Sequence, residues 1–144
     1  MSCYEEILLC YDSTREGRRA LIKGAELAQA LGAKTHLLAI AAASGGYFPE
    51  APSEIALSEE ERGIREILKE GVERLRARGL TATGHLVFGD PIEQIPAVAK
   101  SLGCDLIVVG YRPCGIVQRW WAGAGNAQLL DRVSCSVLVS IAAD

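Results

Sequence analysis

Apolar residues recur along this chain in two rhythms that take turns. Short runs occupy Glu6–Tyr11, Thr35–Ala41, Thr81–Phe88, Asp105–Gly110 and Ser136–Ile141. Runs of that length bounded by turn residues predict strands. The near-continuous Leu37-Leu38-Ala39-Ile40 and Leu106-Ile107-Val108-Val109 segments suit strands covered on both faces, as a parallel sheet requires. Asp105–Gly110 is the most apolar of these runs and is expected at the sheet centre. Between the runs the period lengthens: Ala20, Leu21, Gly24, Ala25, Leu27, Ala28 and Leu31 repeat at helical spacing, as do Ile64, Ile67, Leu68, Val72 and Leu75.

The boundaries carry their own chemistry. Ser13 and Glu16 form an S-x-x-E capping box in which each side chain satisfies an orphaned backbone N–H, and Gly32 supplies the stop. From Ala42 to Leu57 the pattern dissolves around Ser44-Gly45-Gly46, Pro49 and Pro52, which predicts a long loop. A second box, Ser58 with Glu61, is expected to open the next helix, and Gly79 to close it. Gly89-Asp90-Pro91 reads as a turn, an Asp cap and a proline at the first helical position, with Glu93 near the helix N-terminus. Pro96 removes an internal hydrogen bond, so a kink is expected there. Tyr111 to Ala122 reads as a loop, followed by a short helix near Gly125–Val133. The order β-α-β-α-β-α-β-α-β implies an α/β fold: one parallel sheet of five strands, helices on both faces and right-handed crossovers.

The 144 residues make one domain, 1–144, and the 49% of apolar residues suffice for a core. A net charge of −3 without a Lys/Arg run disfavours nucleic acid as a partner. The longest apolar stretches, Leu37–Ala43 and Val133–Ala143, fall short of the roughly 20 residues of a membrane span. The acidic N-terminus does not resemble a signal peptide, so a cytoplasmic protein is expected. Five cysteines, at 3, 10, 104, 114 and 135, lack zinc-ligand spacing and form an odd set, which reads as reduced residues, mostly of the core. Cys114, beside Arg112 in a Gly/Pro loop, is the one with a cation near enough to lower a thiol pKa. His36 and His85 fall inside strands, where half-buried imidazoles are the plain expectation.

Ligands of open parallel sheets collect beyond the C-terminal strand ends. Asp12-Ser13, Ile40 and Gly110-Tyr111-Arg112 lie at such ends, and Gly123-Ala124-Gly125-Asn126 opens the last helix, where free N–H groups can hold an anion. Turn and cap roles account for the same glycines. The chain has no G-x-x-x-x-G-K-[ST], no G-x-G-x-x-G after a strand and no G-x-S-x-G. A phosphoacceptor reading fails because the third strand ends Val87-Phe88-Gly89, with Asp90 serving as a cap. Trp120-Trp121 is read as packing on the domain's own surface rather than stacking on a ligand.

The ordered set Glu6-Ile7-Leu8-Leu9-Cys10-Tyr11-Asp12-Ser13, Leu27 to Lys34, Gly89-Asp90-Pro91, Asp105 to Gly110 and Cys135 to Val139 resembles the universal stress protein family over essentially the whole chain. The resemblance implies that family's five-stranded fold, of the adenine nucleotide alpha hydrolase-like type, and a nucleotide cleft at the ends of the first and fourth strands. Taken with the strand-end and helix-start residues above, it places the site at Asp12, Ile40, Val109, Gly110, Arg112, Gly123, Gly125 and Asn126. The signature of the ATP-binding members, G-x2-G-x9-G-[ST], falls on Gly110, Pro113, Gly123 and Ala124. Proline offers no N–H to a phosphate and alanine no hydroxyl, so the phosphate end is weakened.

The resulting expectation is a stress-response or regulatory protein that acts by binding and is not an enzyme, with no catalytic residues and no resident metal. AMP, ADP or ATP is its implied ligand, with Mg only alongside a triphosphate. The alternatives are a slow metal-dependent ATP hydrolase using Asp12, or a dimerisation module with an empty cleft. Ser136–Ile141, an unprotected edge in the strand order the resemblance implies, predicts a homodimer through that strand.

Overall fold

The structure, a computed structural model, describes residues 3–11, 15–41, 54–111 and 128–141. Its elements are β1 (Glu6–Tyr11), α1 (Arg15–Leu31), β2 (Lys34–Ala41), α2 (Glu54–Ala77), β3 (Ala82–Phe88), α3 (Pro91–Leu102), β4 (Leu106–Tyr111), α4 (Gln128–Arg132) and β5 (Ser136–Ile141). All strand pairs are parallel, in the order β3-β2-β1-β4-β5.

The centre therefore belongs to β1, not to β4 as its apolar run suggested. Apolar content reports burial on both faces, and β4 has that burial one place off centre: Ile107 and Val108 are as inaccessible as Leu8 and Leu9.

Side-chain alternation divides the core into two layers. Ile7, Leu9, Leu37 and Val108 face α1 and α2, meeting Leu21, Ala25, Val72 and Leu75. Leu8, Leu38, Ile107 and Val109 face the opposite layer, with Ile92, Ile95 and Ala99 of α3 and Leu129 of α4. Glycine lets α2 approach closely: a Cβ at Gly71 would stand 2.6 Å from Leu37 Cδ2.

α2 begins at Glu54, so Ser58 lies inside the helix instead of capping it, and the preceding connection is shorter than Ala42–Leu57. Ile55, Ala56 and Leu57 contain no breaker, and helical propensity carries through them. The α3 boundary follows its local chemistry. Asp90 accepts a hydrogen bond from Ile92 N at 3.0 Å, Pro91 occupies the first turn, and Gly103 ends the helix in the left-handed region at φ 70°. α3 runs on through Pro96 to Leu102. The last helix is confined to Gln128–Arg132 among the described residues. The box at Ser13 lies outside the described residues. At the N-terminal side of the sheet, the Asp105 carboxylate accepts Glu5 N at 2.9 Å and Glu6 N at 3.2 Å, tying the start of β1 to the start of β4.

Candidate functional site

β1 pairs with β2 along its whole length, from Glu6 opposite Lys34 to Tyr11 opposite Ala39. Its ladder with β4 spans only Ile7–Leu9 opposite Leu106–Val108. β4 nevertheless continues beside β5 as far as Tyr111 opposite Ile141. Past Leu9 and Val108 no pairing joins the two strands, although each is still paired on its outer side. The chain winds away from β1 in opposite directions at this junction, and open α/β sheets bind ligands at such a switch point.

Three of the residues assigned to the site stand toward the C-terminal ends of the strands that flank β1. Ile40, half-buried beside α3 and opposite Val87, is the last but one residue of β2. Val109 is buried in the layer of α3 and α4, and Gly110 follows it opposite Ser140. Gly110 is buried in the structure and has no side chain of its own to fill the end of β4. Strand phase sets Ile40 and Val109, from the two strands that flank β1, in the same packed layer. Asp12, Arg112, Gly123, Gly125 and Asn126 lie outside the described residues, as do Pro113, Ala124, Cys114, Trp120 and Trp121.

The resolved titration shifts sit elsewhere. Burial, and after it Glu6, Cys135 and Asp105, push the Cys104 thiol up to about 12. Burial and Asp105 also raise Cys135. Both thiols stay protonated at neutral pH and are poor nucleophiles. Cys10 is half-buried, whereas Cys3 is exposed and not a core residue. Among the described residues, no group of His, Cys, Asp or Glu side chains has the makings of a metal centre, and no helix is long and apolar enough to cross a membrane. A shallow groove of about 240 Å³ between α2 and β3, floored by Leu68, Val72 and Gly84, includes none of the predicted residues.

The strands also join side chains that the sequence reading treated singly. His36 Nδ1 lies 3.1 Å from His85 Nε2, and His36 Nε2 lies 3.2 Å from Glu6 Oε1. Both imidazoles are half-buried on strands, as expected. The available signal was phase: Glu6 shares the face of Leu8, His36 that of Leu38, and His85 that of Val87.

The universal stress protein family profile matches residues 4–140 of this chain. A universal stress protein from Thermus aquaticus is 30% identical over 142 residues, covering 94% of this chain and 98% of the relative. Among solved structures, a family protein from Burkholderia pseudomallei superposes with a TM-score of 0.73 at 24% identity, over 94% of this chain and 95% of the other. An Arabidopsis thaliana family protein with AMP bound gives a TM-score of 0.67 at 17% identity, over 96% and 92% of the two chains. Other structures of this fold were determined with cAMP and, from Archaeoglobus fulgidus, with dAMP.

Proposed function

Since the chain belongs to the universal stress protein family, we propose that it is a cytoplasmic stress-response or regulatory protein that acts by binding an adenine nucleotide rather than by catalysis. The observation that supports this reading is the end of β1–β4 pairing at Leu9 and Val108, at the switch point where open α/β sheets bind ligands. The nucleotide complexes of proteins with the same fold support an adenine ligand.

In this reading Asp12, Ile40 and Val109 line the adenosine end. Gly110, Arg112, Gly123, Gly125 and Asn126 hold the phosphates. Pro113 and Ala124 lack donors that the ATP signature supplies, so AMP and ADP bind in preference to ATP, and Mg enters only with a triphosphate. The protein is a homodimer through β5. Two such edges paired about a two-fold axis satisfy their outward backbone groups and close the assembly at two chains.

Calorimetry with AMP, ADP and ATP, run beside a phosphate-release assay, tests the reading. Binding without turnover is expected, with AMP and ADP the tighter ligands. Release of phosphate from ATP would establish the hydrolase instead, and failure of all three nucleotides to bind would leave a dimerisation module. A ligand located away from Ile40, Val109 and Gly110 would overturn the placement.

A further inference from the structure

β3 is an outer strand, held to the sheet by β2 alone. The contacts of His36 therefore matter beyond their own strength: this ring, on β2, reaches His85 on β3 with one nitrogen and Glu6 on β1 with the other. The three groups form a line across three strands on the layer that faces α3.

The tautomers follow from the partners. An ionised carboxylate only accepts, so His36 Nε2 carries the proton and donates to Glu6. That leaves Nδ1 of the neutral ring as an acceptor, and His85 Nε2–H donates to it. One added proton preserves both bonds: His36 becomes an imidazolium donating from both nitrogens, and His85 changes tautomer to present a lone pair. A second proton cannot be accommodated, because two N–H groups, both on cations, then face each other across 3.1 Å.

We infer that Glu6, His36 and His85 form a proton-operated latch that fastens β3 across β2 to β1 and releases it when both imidazoles are charged. Among the described residues, few other charges are placed to soften that repulsion. Lys34 shares the face on β2 but is exposed, and β3 carries no second titratable side chain. On α3, the ionisable residues Glu93 and Lys100 are exposed. Beyond the strand starts lie Asp105, engaged by the backbone N–H groups of Glu5 and Glu6, and the protonated Cys104. The second proton is resisted by the same surroundings: burial, and then charge on His36, hold His85 below its ordinary value of 6.5. The folded state thus binds fewer protons than the unfolded chain as pH falls below that value, and the stability the latch contributes at neutral pH is lost on acidification.

Amide exchange resolved by residue, with ¹⁵N NMR of the histidine rings, tests the latch. The amides of Thr83, His85 and Val87 point into β2, following the alternation between Thr35 N to Thr81 O and Gly89 N to Ala41 O. Near pH 7.5 both rings should carry their protons on Nε2. On moving from about pH 7.5 to about pH 5, protection of those amides should fall about tenfold more than that of β1 amides. His85→Gln keeps an N–H donor toward His36 without a proton to gain, and should abolish that excess. Glu6→Gln retains an acceptor but removes the charge that favours the protonated pair, and should move the release to a different pH. Equal loss of protection in β1 and β3 of the unaltered protein, or an unchanged excess in His85→Gln, would overturn the latch. A neutral-pH spectrum with the His36 proton on Nδ1 would do so even if neither variant folds.

Discussion

Leu9 and Val108 are the last partners in the ladder between β1 and β4, and beyond them the two strands stay in the sheet only through β2 and β5. Ile40 on β2 and Val109 and Gly110 on β4 stand at this same end of the sheet, on either side of the central strand.

If a nucleotide binds at this end of the sheet, the weak point is its phosphate end. Changing Pro113→Gly together with Ala124→Ser restores a backbone donor and a hydroxyl. Affinity for ATP should rise at least about tenfold, equivalent to about 1.4 kcal/mol. AMP should gain less, since fewer phosphate oxygens await donors. Unchanged ATP affinity in calorimetry would show that these two positions do not set it.

The dimer prediction has a sharp test because β5 alternates its backbone as well as its side chains. Ser136 N donates to Asp105 O, so by strand alternation Leu138 and Ser140 also turn their N–H groups toward β4. Val137 and Val139 turn theirs outward. Val139→Pro removes an outward donor and leaves the β4 ladder intact, so the fold should persist while the dimer is lost. Leu138, 41% exposed at this edge, would be covered in a dimer. A sedimentation mass near twice 15.4 kDa for the unaltered chain, falling to the monomer value in the variant, is the expected pair of results. A folded variant that remains dimeric would place the interface elsewhere.

Two glycines of α2 should respond with opposite sign. Gly63 has open space where a Cβ would stand, so Gly63→Ala should stabilise the protein by about 0.5–1 kcal/mol through helix propensity. Gly71→Ala gains the same propensity but drives a methyl against the buried Leu37, and overpacking of that kind typically costs about 1–3 kcal/mol. Urea midpoints of the two variants measure the contrast, and a stabilised Gly71→Ala would mean that α2 can move off the sheet at little cost.

The buried hydroxyl of Thr35 has no hydrogen-bond partner among the described residues. Thr35→Val keeps the shape and removes the desolvated oxygen, so stability should rise by about 1 kcal/mol. A loss on chemical denaturation would point to a partner for that oxygen.

Cys104 should make the protein sensitive to alkali. Its thiol is pushed up to about 12 in the fold, whereas a thiol in the unfolded chain ionises near 9.0. Between those values the folded state keeps a proton that the unfolded state has released, so stability falls as pH rises through the window and is unaffected below it. The decline in urea midpoint from about pH 8 to about pH 10.5 should be smaller in Cys104→Ala. An identical decline would assign the alkaline loss to other groups.

Runs, periods and caps are local, and local physics made them legible in the amino-acid order. The limits of β1 and β5, the stop at Gly32 and the Asp90 cap each depend on neighbours a few residues apart. Ile40 and Gly110 were legible as strand ends, resemblance to a family added Val109, and the parallel topology set all three toward one end of the sheet. Only the tertiary structure decided which strand is central, because strand order costs nothing in local pattern: the β1 and β4 runs, buried on both faces, look alike in sequence. It alone ended the β1–β4 ladder at Leu9 and Val108, and it alone aligned Glu6, His36 and His85. His36 and Glu6 are separated by 30 positions and His36 and His85 by 49, and no periodicity reaches that far. Their meeting depends on pairing register across three strands, and register is settled by the burial of whole faces rather than by any residue's neighbours in the chain.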